Sequence, residues 1–92
     1  MRTRVVVTGL GCISPLALDW PGTWQALLAG KSGVGPITFF DASHFKTRIA
    51  AEVKDFDAGA RFGSREARRM DRFTQFALAA ALEALQQSDL NV

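Results

Sequence analysis

The sequence has one cysteine and one histidine in 92 residues. The single thiol, Cys12, excludes an internal disulfide and fits a reducing compartment. His44 by itself makes no metal site, because zinc takes about three or four protein ligands. No apolar run reaches the ~18 residues that cross a bilayer. The N-terminus enters a strand-like pattern without a long apolar signal region, so a cytoplasmic protein with no membrane partner is expected. Excess charge is also scarce, and a net +2 does not by itself imply a nucleic-acid partner. The chain shows no internal repeat, low-complexity tract or interdomain linker, so residues 1–92 are read as one unit with no internal boundary. A chain this short buries only somewhat over ~60% of its unfolded surface, which leaves a thin core.

What is present begins with Arg4-Val5-Val6-Val7-Thr8-Gly9-Leu10-Gly11. Three consecutive β-branched residues predict a strand covered on both faces. Gly9 and Gly11 follow where backbone must turn or approach something closely, and Pro15 ends any regular strand. An α/β layer is the expected architecture. A short helix follows, with Asp19 or Trp20 ending the loop, Pro21 in the first turn and Gly30 just past the end. Trp20, Trp24, Leu27 and Leu28 have the spacing of its packed side. Lys31 to Pro36 reads as punctuation, Ile37 to Phe40 as a short extended piece, Asp41-Ala42-Ser43 as a turn and Arg48 to Val53 as a weaker strand. Residues 55–64 read as loop.

The strongest element is a helix from about Arg65 to Gln87, capped by Ser64 and rich in good helix formers. Met70, Phe73, Ala77, Ala81 and Leu85 make one apolar line along it, and further apolar positions widen that line over much of the circumference. Such a helix expects neighbours on most sides. Leu85 and Leu90 arrive where a further strand would begin, so the chain reads as cut from a longer pattern.

Three motifs tempt and fail. Gly9-Leu10-Gly11 lacks the third glycine of a dinucleotide fingerprint, with Ser14 and Pro15 standing where that glycine and its helix belong. Gly30-Lys31-Ser32 follows a helix, whereas a phosphate loop precedes one, and Gln25 occupies the place of the first glycine. Cys12 has no base brought near it by spacing, so it reads as a small buried hydrophobe rather than a nucleophile. No catalytic, cofactor-binding or metal-ligating residue is therefore assigned.

The arginines are different. Arg61 to Arg72 holds five arginines against Glu66 and Asp71, a local +3 that leaves −1 for the rest of the chain. Arg65, Arg68, Arg69 and Arg72 follow helical spacing and can share one face, although positive charge is unfavourable in the first turns of a helix. Two accounts stand side by side: a patch for an acidic or phosphorylated partner, or a solvated face paired internally with Glu66 and Asp71. Nucleic acid fits less well, because the aromatics do not alternate with the arginines.

Taken together, Arg4 to Gly11 with Ser14-Pro15, Thr23 to Gly33, Phe40-Asp41, and Arg65 to Phe73 resemble the N-terminal segment of the β-ketoacyl-acyl carrier protein synthase II family. The resemblance implies a partial thiolase-like fold, a mixed sheet with flanking helices, with these residues the opening of the first of two α/β halves. It implies an enzyme that loads an acyl chain from carrier protein onto a cysteine and condenses it with malonyl-carrier protein, losing carbon dioxide. The family's catalytic cysteine, histidines and lysine all follow the matched region, so neither Cys12 nor His44 inherits a catalytic role and the isolated chain is expected to be inactive. The resemblance further implies a homodimeric parent enzyme. It also implies docking of acyl carrier protein, with its phosphopantetheine arm, on Arg65, Arg68 and Arg69, with Arg61 and Arg72 at the rim. Ala17-Leu18 before Asp19 and the loop at Ala60 to Gly63 depart from the family pattern. A polyketide-type ketosynthase fragment and a non-catalytic carrier-binding module are the alternatives.

Overall fold

The computed structural model describes residues 2–90; Met1, Asn91 and Val92, where a strand beyond Leu90 would start, lie outside the described residues. The chain divides into two compact units, residues 13–56 and a second built from the stretch up to Cys12 with residues from Asp57 onward.

In the first unit, α1 spans Trp20–Leu28. Its start follows from Asp19, whose carboxylate accepts the Gly22 N–H at 2.7 Å, and from Pro21 in the first turn. Its end follows from Gly30, which turns into the left-handed region at φ +71° while the Lys31 N–H donates back to the Ala26 carbonyl at 3.0 Å. The buried face differs from the expected one. Ala26 is buried, whereas Trp24, Leu27 and Leu28 stay more than half exposed because nothing described here packs over them. Ahead of α1, the Ser14 hydroxyl accepts the Leu16 and Ala17 N–H groups and bonds the Thr23 hydroxyl at 2.8 Å, which fixes the Ser14-Pro15 turn to the helix.

Two short strands follow, β1 at Val34–Pro36 and β2 at Ile49–Ala51, antiparallel with Gly35 opposite Ala50. The weaker strand expected at Arg48 to Val53 is present in shortened form, but its partner is not Ile37 to Phe40. The strand falls on the stretch read as punctuation, and Pro36 is tolerated because each member of a two-stranded ladder is an edge. Beyond Ile37 the ladder is replaced by a side chain. The Glu52 carboxylate accepts the Thr38 N–H, the Thr38 hydroxyl and the Phe39 N–H at 2.9–3.2 Å. The turn at Asp41 to Ser43 forms as expected, with the Asp41 carboxylate accepting the Ser43 N–H at 3.0 Å.

That clamp is pH-sensitive. Partial desolvation opposes ionisation of Glu52, but the bonds from Thr38 and Phe39 and the nearby Lys54 charge outweigh it and hold the carboxyl below its ordinary value. A depressed folded pKa means that the clamp stabilises above the ordinary glutamate range and is lost as pH falls through the folded value. The Thr38 and Phe39 amide proton shifts are expected to titrate together below the ordinary glutamate range. In Glu52→Gln, which accepts at one oxygen only, that step should vanish; its persistence would assign the titration to another group.

In the second unit, α2 spans Ala58–Phe62, α3 Ser64–Arg68 and α4 Arg72–Ser88. Two expectations are corrected here. Residues 55–64 are not all loop, because Asp57 caps α2 by accepting the Ala60 N–H at 3.0 Å. Nor is there one helix from Arg65 to Gln87. Asp71 is extended (φ −70°, ψ 161°) and divides it, and Gly63, not Ser64, stands at the cap position of α3.

The predicted first strand at Arg4 to Val7 makes no ladder among the described residues, and Val5, Val6 and Val7 are exposed. A strand's hydrogen bonds go to a neighbour, and none lies beside it here. The segment from Gly9 to Cys12 is anchored instead on α4. The Leu10 N–H donates to the Gln87 side-chain oxygen at 2.6 Å and the Cys12 N–H to the Glu83 carboxylate at 2.9 Å. The match is geometric: two extended residues advance ~6.6 Å and four helical residues ~6 Å. Gly9 and Gly11 lie against the carbonyls of Ala84 and Ala80, so closely that a Cβ at either glycine would collide with helix backbone. This rotates the packed face of α4. Gln75 and Ala79 are buried, while Phe73, on the expected apolar line, is 72% exposed. No helix among the described residues is long and apolar enough to cross a membrane.

Candidate functional site

The arginines lie on the short α2-α3-α4 turns of the second unit. Arg61 is in the last turn of α2, which ends at Gly63, a glycine with φ +84°. Such a backbone conformation suits glycine and lets α3 start in a new direction without a linker. Arg65 and Arg68 then fall in the last turn of α3, where the exposed carbonyl end favours positive charge. For Arg68 the break thus removes the unfavourable placement expected in one long helix, whereas Arg65 also stands in the first turn of α3 and Arg72 in the first turn of α4. The Arg68 guanidinium also donates to the Ser64 carbonyl at 3.3 Å. Arg69 is the C-cap residue of α3, and its guanidinium stands 4.0 Å from the Glu66 carboxylate with both side chains more than 60% exposed. An ion pair so long and so wet contributes little, so it does not neutralise the patch.

Arg72 opens α4 with its guanidinium 4.9 Å from the centre of the Phe76 ring, a cation–π contact. The four arginines therefore do not form a stripe on one helix. Arg65 and Arg68 share α3, Arg69 sits on its exit and Arg72 on the next helix, all at the surface. Such a patch offers planar, forked donors to carboxylates or phosphates.

Two polar residues with structural roles escape a reading of the sequence. Gln75, buried on α4, donates its side-chain amide to the Ala67 carbonyl at 3.0 Å and the Met70 carbonyl at 3.3 Å. Its signal was a polar residue just ahead of the apolar run from Phe76 to Leu82. Glu83, which holds the Cys12 N–H, is the other, one helical turn from Gln87. Cys12 itself is half-buried in that anchored segment, and His44 is exposed in its turn. No group of three or more metal-ligating side chains occurs among the described residues.

Comparison with known proteins gives this surface a setting. The family model for the beta-ketoacyl synthase N-terminal domain matches residues 2–92. The chain is 53% identical over 91 residues to 3-oxoacyl-[acyl-carrier-protein] synthase 2 of Coxiella burnetii, covering 99% of this chain and 22% of that protein. Against the protein of the same name from Synechocystis it is 48% identical over 89 residues, covering 97% of this chain and 21% of the relative. Among solved structures, the ishigamide ketosynthase/chain length factor superposes with a TM-score of 0.85 at 38% identity, over 99% of this chain and 23% of that one. The chain thus spans about a fifth of the length of the curated relatives it matches. The expected partial α/β ketosynthase fold is present, and the chain belongs to the beta-ketoacyl synthase family, within its N-terminal domain.

Proposed function

We propose that this chain is the N-terminal part of a 3-oxoacyl-acyl carrier protein synthase, an acyltransferase of fatty-acid synthesis that elongates acyl chains by decarboxylative condensation with malonyl-carrier protein. Its own contribution is the docking of acidic acyl carrier protein through Arg65, Arg68 and Arg69, while the condensing residues lie elsewhere in the whole enzyme. On this reading the chain alone does not catalyse, and the whole protein acts in the cytoplasm as a homodimer. The observation that carries the docking reading is the surface exposure of these three guanidinium groups, in a stretch whose five arginines face only two carboxylates. A patch of this kind accelerates encounter with an acidic partner and sets its orientation, leaving the bond-making step to other residues.

The test compares two substrates in the native protein. Arg68→Ala or Arg69→Ala should raise KM for the carrier-linked acyl thioester by roughly 3–10-fold, about 0.7–1.4 kcal/mol. KM for the same acyl group on free pantetheine should stay unchanged. Equal effects on both thioesters would place these arginines at the acyl site and remove the docking role.

The likeness to a ketosynthase/chain length factor supports a second reading, a polyketide-type ketosynthase. A product elongated repeatedly without reduction would favour it over a single condensation per encounter.

A further inference from the structure

We infer that Gln75 is a positioning residue that sets the direction of the arginine-bearing exit of α3, an inference that rests on the docking reading above. Three observations carry it. First, the helix break frees carbonyls exactly where the arginines sit. The fourth residue after Ala67 is Asp71, whose extended backbone takes it out of the helix, so from the turn itself the Ala67 carbonyl has the Arg69 N–H, which it shares with the Glu66 carbonyl, and the Met70 N–H at 3.3 Å, and no regular helical donor. Second, the Gln75 side-chain amide adds a donor from α4 to that carbonyl at 3.0 Å, and to the Met70 carbonyl at 3.3 Å, so that both ends of the turn are tied to the next helix. Third, Gln75 is 9% exposed, the one polar residue in the buried class among those described, so these bonds are shielded from competing water.

The two carbonyls flank Arg68 and Arg69 in sequence. Fixing both fixes the backbone from which those guanidinium groups project. Gln75 itself is too buried to meet a partner, so its influence passes through the arginines. A side chain that cannot donate would remove the bonds that tie both carbonyls to α4 and let α3 swing about the Gly63 and Asp71 joints. The patch would keep its charge and lose its geometry. Encounter through long-range attraction survives such a change, while the aligned, forked contacts do not.

Gln75→Met keeps the volume and removes the donor. In the native protein it should raise KM for the carrier-linked thioester about fivefold with kcat within about twofold, and leave the pantetheine thioester unchanged. In the Gln75→Met background, Arg68→Ala should cost less than it does alone, because the misdirected arginine has already lost part of its contact. A purely structural role predicts the reverse: a lower active fraction, hence lower kcat for both thioesters, with KM unmoved. That result, or full additivity with Arg68→Ala, overturns the inference. If Arg68→Ala and Arg69→Ala leave KM unchanged, the docking reading falls; if they raise it and Gln75→Met does not, only the positioning role falls. Should Gln75→Met fail to fold, the side-chain amide signals of Gln75 in the unmodified protein decide the matter. They should shift on addition of carrier protein, and their staying fixed while the arginine signals move would refute the role.

Discussion

Replacing Gly11 with alanine is expected to lower the stability of the native protein by about 2–4 kcal/mol, the largest single-residue effect in this chain. An added Cβ would overlap the Ala80 carbonyl oxygen and stand 2.6 Å from its carbonyl carbon and 3.1 Å from its Cα. The obstacle is the backbone of a helix interior, which cannot rotate aside as a long side chain would. Relief requires the segment to lift from α4, and lifting breaks the bonds from the Leu10 N–H to Gln87 and from the Cys12 N–H to Glu83. Gly9→Ala meets Ala84 in the same way. Gly35 is the internal control, since a Cβ there meets nothing within 4 Å, and Gly35→Ala should stay within about 0.5 kcal/mol. Urea midpoints at unchanged slope measure all three. Equal midpoints for Gly11→Ala and Gly35→Ala would mean that the glycine segment does not lie on the helix.

The second large effect is on recognition. Converting Arg65, Arg68 and Arg69 to glutamate together turns the charge of the stretch from Arg61 to Arg72 from +3 to −3. Against an acidic carrier protein the attraction becomes repulsion, and like charges brought together at an interface cost several kcal/mol. Carrier affinity should fall at least ~100-fold, about 2.7 kcal/mol, with kcat/KM for the carrier-linked substrate falling in parallel. The pantetheine thioester should be turned over within about twofold of the unmodified rate. Stability should hardly change, because these side chains are exposed and their ion pairing is weak. A parallel loss on both substrates would mean that the variant had damaged the enzyme and not its docking surface.

Where the chain carries its own local instructions, the sequence was readable. Asp19, Pro21 and Gly30 bound α1 by cap chemistry that needs no distant partner. The Asp41 turn is likewise self-contained. Elements that depend on something else were not. Three β-branched residues at Val5 to Val7 state a preference, but a ladder takes two strands, and the described residues offer no second one. The strand at Val34–Pro36 falls on a stretch that reads as punctuation, and Ile37 to Phe40, which reads as a short extended piece, forms no strand among the described residues because Glu52 occupies the Thr38 and Phe39 donors.

The long helix failed differently. From Arg65 to Gln87 nearly every residue favours helix, and propensity alone has no reason to stop at Asp71. The break is tolerated because Gln75 satisfies the carbonyls it exposes, a pairing that composition does not reveal. The packed face of α4 was equally hidden. With alanines all round the helix the periodicity favours no one side; the expected line runs through Phe73, Ala77 and Ala81, yet it is the backbone at Ala80 and Ala84 that the Gly9-Leu10-Gly11 segment lies against. For the candidate site, charge clustering and the family resemblance pointed to Arg65, Arg68 and Arg69 as candidates. Their distribution over a helix end and its exit became visible only in three dimensions.

The most direct test of the central claim is the affinity of acyl carrier protein for the native protein across a range of ionic strength. If the arginine surface does the docking, affinity falls steadily as salt rises, since exposed charges are screened over ~10 Å at 0.1 M. The dependence should flatten or reverse in sign when Arg65, Arg68 and Arg69 are all glutamate. Carrier binding that is indifferent to salt, in a protein that still condenses carrier-linked substrates, would contradict it and place the docking surface elsewhere.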